Sequence, residues 1–275
     1  MNSIFAQFAY KDDDDNTETQ KPDKRDNDER FQCNDIIEMY KKRKVGFESL
    51  LEPKGLGEIY HTPGVSEKRL KLIIVGHNPS NQSWLKGHYY ANPSNRMWFL
   101  LRKANLVPSH FDCTNDVDCP AACGIGFTDV MTGICETDCS EFSDRYVSSF
   151  KTSFYSRLVD HVKRVKECDS DSDAYPHIIA FAGVRQWKLL FSKHSLNKVS
   201  TAALRFEQLC KFELNDHNST NSSYGIQHSL PSDWPQQLDH SLVFTLPSSS
   251  GAAAMTNEQR ETPYRKLGYL FSKIS

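Results

Sequence analysis

Arg69-Leu70-Lys71-Leu72-Ile73-Ile74-Val75-Gly76-His77-Asn78-Pro79-Ser80 is the stretch that decides the fold. Its apolar run from Leu72 to Val75 has no polar alternate positions, so neither face of this segment is suited to water. Strands buried on both faces belong to parallel sheets covered by helices. Gly76 closes the run, and Asn78-Pro79 starts a turn. Two further segments repeat the pattern: Pro176-His177-Ile178-Ile179-Ala180-Phe181-Ala182-Gly183, and Leu242-Val243-Phe244-Thr245-Leu246-Pro247, which opens onto a Ser/Gly/Ala-rich loop. Helical spacing predicts a helix that starts at Pro93-Ser94-Asn95 and runs through Met97, Trp98, Leu100, Leu101 and Ala104. It predicts others over 146–165, 185–191 and 256–274. Residues 78–92 read as a polar loop, and 195–223 as a polar insertion. The alternation predicts an α/β protein: three α/β/α layers around a central, mostly parallel sheet. Ligands bind such sheets at the carboxyl ends of the strands, here residues 76–95, 183–185 and 247–254.

Outward from this body the composition changes. Residues 1–34 are polar and nearly free of aliphatics after Phe8, which predicts a disordered acidic tail. Residues 35–66 read as a linker carrying Lys41-Lys42-Arg43-Lys44-Val45, and the body as 67–275. The basic run suits a nuclear import address, a nucleic-acid patch or the solvated face of a helix. The formal net charge is −2, from 33 bases and 35 acids, but residues 1–30 hold nine of the acids and five of the bases. The remainder is therefore mildly basic, which permits a nucleic acid as partner without demanding one.

Other classes are disfavoured. No apolar run approaches the ~20 residues of a membrane span, and the N-terminus lacks the pattern of a secretory signal. Eight irregularly spaced cysteines do not make a disulfide scaffold and predict reduced thiols in an intracellular protein. Cys119/Cys123 and Cys135/Cys139 resemble zinc-ligand pairs only loosely, so neither a metal nor a cofactor is expected. No Gly-rich Walker loop supports a nucleotide hydrolase.

At the strand ends, Asn78 is an amide, both donor and acceptor, and cannot act as a general base at neutral pH. It can hold a water or a carbonyl. Ser248, Ser249, Ser250, Gly251 and Ala252 offer hydroxyls and free backbone N–H groups, which suit contact with phosphate.

Taken in order, these motifs resemble the mismatch-specific uracil/thymine-DNA glycosylases of the uracil-DNA glycosylase superfamily. Gly76-His77-Asn78-Pro79-Ser80 is similar to that family's Gly-Ile-Asn-Pro-Gly. Lys86-Gly87-His88-Tyr89-Tyr90 and Asn92-Pro93-Ser94-Asn95-Arg96-Met97-Trp98 match its next stretches without a gap. Gly124-Ile125-Gly126-Phe127-Thr128-Asp129 and Leu246-Pro247-Ser248-Ser249-Ser250-Gly251 resemble later blocks. The resemblance covers about residues 67–274. It implies a uracil-DNA glycosylase-like fold and hydrolysis of an N-glycosidic bond after the base has been flipped out of the duplex.

By the same resemblance Asn78 holds the attacking water, Tyr90 stacks on the base, and His77, Ser83, Asn95 and Thr128 complete the pocket. Ser248 and Ser250 contact the flanking phosphates, in a loop with Ser249, Gly251 and Ala252, the last at the family's wedge position; Lys86 and Arg96 are expected, from their charge, to add contacts to DNA. Three of these have plainer readings: Tyr90 as ordinary core packing, Asn95 as a helix cap and Thr128 as strand or turn packing. No lysine stands at the water-holding position, so a Schiff-base lyase step is not expected. Ser83, by its hydroxyl, favours uracil over thymine. The implied partner is double-stranded DNA with a G·U or G·T mismatch, met by a monomer in the nucleus. The competing reading is a catalytically weak mismatch- or modified-base-binding module on the same fold.

Overall fold

A computed structural model describes residues 54–134, 136–170, 173–191, 197–210 and 224–274. The expected acidic tail, the basic run at 41–45, Cys135 and much of the expected insertion (195–196 and 211–223) lie outside the described residues.

β1 (Leu72–Gly76) is followed by α1 (Asn81–Lys86) and α2 (Met97–Lys103). A 3-10 turn over Cys113–Asp118 and α3 (Cys119–Cys123) lead into β2 (Ile125–Asp129). α4 (Asp144–Ser149) and α5 (Lys151–Cys168) precede β3 (Ile178–Ala182), which runs into α6 (Val184–Lys188). β4 (Lys198–Val199), α7 (Thr201–Cys210), β5 (Gly225–Ile226) and β6 (Ser229–Leu230) come before β7 (Leu242–Leu246), and α8 (Asn257–Ser272) closes the domain. The main sheet has five strands in the order β2-β1-β3-β7-β5, all parallel except β5 at the edge. β4 and β6 form a separate antiparallel pair. This is the three-layer, mostly parallel α/β/α arrangement that the apolar runs predict.

The period-2 alternation of a strand divides the core in two. Leu72 and Ile74 share one face with Phe127 and Phe244, packed against Met97 and Leu101 of α2 and Tyr264 and Leu267 of α8. Ile73 and Val75 share the other with Phe181 and Val243, against Phe154, Leu158 and Val162 of α5. Every residue of β1 is buried. Each fully buried aliphatic side chain there contributes roughly 1.5–3 kcal/mol, which is why this run fixes the fold.

Several details differ from the sequence reading. The body begins before residue 67: Ile59 bridges Phe127 by paired 2.9 Å backbone bonds along the outer side of β2, and Tyr60 is buried. The polar loop at 78–92 contains α1, whose six residues are too few to show a period. Residues 93–95 form a turn, and the helix begins at Met97. The helix expected over 146–165 is two, joined at Phe150. The expected insertion holds β4 and α7, whose buried Ala202 and Ala203 give only a weak hydrophobic signal. β2 is a strand that the apolar pattern does not announce, because a glycine, a threonine and a terminal acid dilute it. Among the described residues no helix is long and apolar enough to cross a membrane.

Candidate active site

The register of the sheet sets Gly76, the last residue of β1, beside Asp129, the last of β2. A Cβ on Gly76 would lie 2.0 Å from Asp129 Oδ1 and 3.0 Å from Tyr90 Oη. Only glycine leaves room for both groups over the end of β1. Asp129 is buried, and its Oδ2 has no hydrogen-bond partner among the described residues. Burial pushes this carboxyl up to about 8, the Arg157 guanidinium opposing and the Glu58 carboxylate adding to the rise. At neutral pH Asp129 is largely a neutral acid, able to donate through O–H and accept through C=O.

Tyr90 has φ +56°, a conformation bulky L-residues rarely adopt. Its surroundings hold it there. The Asp116 carboxylate, fully buried, accepts from Tyr89 N at 2.7 Å and lies 2.9 Å from His88 Nδ1. Trp98 Nε1 donates to Tyr89 O at 2.9 Å, and Ala91 N donates to Ser83 Oγ at 3.2 Å. The phenol oxygen of Tyr90 is buried without a partner among the described residues.

Asn78 follows Gly76 by two residues. Its Nδ2 donates to Pro79 O at 3.0 Å and to Glu136 O at 2.8 Å. Two carbonyl acceptors fix which end of the amide is nitrogen. Oδ1 then accepts from Cys139 Sγ at 3.2 Å and lies 2.8 Å from His77 Nδ1. Because Oδ1 is an acceptor, the Nδ1 of His77 carries the proton. Burial lowers the pKa of the imidazole and keeps it neutral, against the bond to Asn78 and the Asp144 carboxylate, with the Arg185 guanidinium a smaller push in the same direction as burial. Its Nε2 is buried with no partner among the described residues. The Asn78 amide is thus fully engaged, and the weakest of its contacts is the thiol.

The serine loop lies on the approach to α2. Arg96 N donates to Ser249 O at 2.8 Å, and a Cβ on Gly251 would meet Ser94 O at 2.5 Å. Ser249 is buried, while Ser250, Gly251 and Ala252 are exposed. Ser248 Oγ and Ser250 Oγ accept from Ser250 N and Ala252 N, at 3.2 and 3.3 Å. The buried Arg260 steadies the loop from behind by donating to Ala253 O at 2.7 Å.

Of the residues singled out in the sequence, Asn78, His77 and Tyr90 meet at the end of β1. The other expected pocket residues are occupied differently. Ser83 is buried, and its hydroxyl receives bonds from Ser80 Oγ at 3.0 Å and from Ala91 N. It ties α1 to the backbone beside Tyr90. Asn95 Oδ1 accepts from Met97 N at 2.9 Å and closes a side-chain turn just ahead of α2, whose cap position is Arg96 and not Asn95 as the plainer reading had it. Thr128 is fully buried on the face of β2 opposite Asp129, beside the Tyr60 phenol. The N–H of Tyr89 is spent on Asp116. Lys86 is exposed at the end of α1, and Arg96 is committed to Asn257 and to the face of the Phe99 ring. Sequence reasoning missed Asp129 and Asp116. Strand parity could have found the first, since Phe127 and Asp129 share a face and Thr128 does not. No group of three or more potential metal ligands occurs among the described residues.

Residues 63–268 match the family described as the Uracil DNA glycosylase superfamily. Over 60 residues the chain is 48% identical to the G/U mismatch-specific uracil DNA glycosylase of Schizosaccharomyces pombe, a stretch covering 21% of this chain and 18% of that protein. The chain therefore spans about a fifth of the length of the curated relative it matches.

Proposed function

The chain belongs to the uracil DNA glycosylase superfamily, and from that premise we propose that it hydrolyses the N-glycosidic bond of uracil mispaired with guanine in double-stranded DNA. The observation that carries this reading is the Asn78 amide, fixed just past the carboxyl end of β1 by Pro79 O, Glu136 O and His77, at the strand end where the buried Asp129 carboxyl also stands. An amide cannot take a proton from water. Bond breaking must then run ahead of water attack, with negative charge moving onto the leaving base. Donors that face the base oxygens give the main electrostatic help to such a step. In this reading a water donates to Asn78 Oδ1 in place of the Cys139 thiol. The Tyr90 ring stacks on the flipped base, and Ser248 and Ser250 meet the flanking phosphates.

The side chain at the water-holding position is an amide, not an amine, which supports a monofunctional glycosylase that leaves an abasic site and makes no strand break. The name of the Schizosaccharomyces pombe relative supports uracil opposite guanine as the preferred target; thymine is the weaker arm of the same reading. Monomeric action in the nucleus fits a DNA substrate and the basic run at 41–45. A second reading, a mismatch-binding module with feeble chemistry, draws on the saturated hydrogen bonding of Asn78.

One experiment separates these readings. The protein is incubated with G·U, A·U, G·T and single-stranded uracil oligonucleotides, with and without later alkali. G·U should yield alkali-labile sites fastest, and none of the substrates should break before alkali. Equal rates on G·U and G·T would remove the uracil preference. Breaks without alkali would restore a lyase step, and tight binding with no labile sites would favour the binding module.

A further inference from the structure

We propose that Arg185 is a positioning residue for Asn78, acting through the strap of residues 136–144 that it clamps over the Asn-Pro turn. The inference rests on the reading of Asn78 given above. Residues 183–185 stand at a strand end of the same sheet as Asn78, and nothing in the proposed chemistry has so far used them. Gly183 has φ +145° and turns the chain from β3 into α6.

From there a single guanidinium reaches three points on the strap. Arg185 Nη1 donates to Cys139 O at 2.7 Å. Nη2 donates to Phe142 O at 2.7 Å and to Asp144 Oδ1 at 2.8 Å, and Nε reaches the same carboxylate oxygen at 3.2 Å. The strap in turn touches the Asn-Pro turn at each of its own groups. Glu136 O accepts from Asn78 Nδ2, and Glu136 N donates to Pro79 O at 3.0 Å. Cys139 Sγ meets Asn78 Oδ1, and the Phe142 ring stacks on His77 with centroids 6.2 Å apart.

The amide of asparagine is nearly symmetric in shape, so its orientation is set by what its two ends touch. One of the two carbonyls that hold Nδ2 belongs to the strap. Loosening the strap removes that carbonyl and lets the amide turn its nitrogen toward the position where an acceptor must receive the water. The planar fork of arginine suits three converging acceptors, and a lysine ammonium does not reproduce it. Arg185 also adds to the effect that keeps His77 neutral, so it acts on both neighbours of Asn78.

A double-mutant cycle tests this. Single-turnover base release from a G·U duplex, duplex affinity and thermal midpoint are measured for the full chain and for Arg185→Ala, Asn78→Ala and the double variant. Arg185→Ala should slow base release by roughly 10- to 100-fold, the scale of a misplaced catalytic group, with duplex affinity within about twofold by the same argument. In the Asn78→Ala background the same change should have no further effect. Asp144→Asn, at an exposed partner of Arg185, should give a smaller loss in the same direction and serves if Arg185→Ala does not fold. Full activity in both variants, or a loss that multiplies with that of Asn78→Ala, would overturn the proposal. If Asn78→Ala itself retains full activity, it is the reading of Asn78 that fails.

Discussion

Asn78→Ala should lower the single-turnover rate of base release from a G·U duplex by on the order of 100- to 1,000-fold, the range seen when one preorganised polar group is removed from an active site. Duplex binding should be preserved, because the serine loop at 248–252, proposed to meet the phosphates, is anchored independently, through Ser249 O on Arg96 N and Ala253 O on Arg260. The substitution also strips a donor from Glu136 O and from Pro79 O, which keeps its bond from Glu136 N. Each lost hydrogen bond costs roughly 0.5–1.5 kcal/mol, so a drop of a few degrees in thermal midpoint should accompany the catalytic loss. Gel-shift affinity measured beside the rate decides between the two functional readings. A chain that loses base release while keeping affinity is an enzyme. A chain with no base release to lose, before and after the change, is a binding module.

The second large effect is on stability, at Asp129. An aspartate in the unfolded chain titrates near 3.9, whereas burial holds this one at about 8 in the native state. Between those values the folded protein keeps a proton that the unfolded chain has released. The native state therefore loses stability as pH rises through the interval, by about 1.4 kcal/mol per unit. An uncharged amide in the same place would carry no such penalty. Asp129→Asn should match the parent near pH 4–5 and exceed it by roughly 2–4 kcal/mol at pH 8, after a discount for the unpartnered amide hydrogens. For a domain of this size that is a rise of roughly 5–10 °C in thermal midpoint. Melting curves of both proteins at pH 5 and pH 8 check it. A difference independent of pH would mean that the native carboxyl is ionised and paired.

The two predictions illustrate what a sequence shows and what it hides. Leu72 to Val75, Ile178 to Ala182 and Leu242 to Leu246 are legible because burial on both faces leaves no polar position to blur the pattern. Asn78 is legible because its place after Gly76 marks a strand end. Asp129 is not, since its meaning depends on which strand it pairs with, and the Gly76–Asp129 register is a tertiary fact. Ser83, Asn95 and Thr128 suit a pocket by their chemistry. The Ser83 hydroxyl ties a loop and the Asn95 amide closes a turn ahead of α2, as short polar side chains near turns commonly do, and Thr128 packs within its strand. The strap at 136–144 is invisible for a different reason: its role lies in backbone carbonyls, which every sequence contains.

The seam between Ile59 and Phe127 has a practical corollary. β2 is the outermost parallel strand, and the paired bonds to Ile59 occupy hydrogen-bonding groups that would otherwise stand open along it. A shortened chain starting after Tyr60 would bare that rim as a template on which a second copy could add a strand. Such a truncation, though it keeps every residue of the candidate site, should yield an aggregating protein, and the safe place to trim lies upstream of the seam.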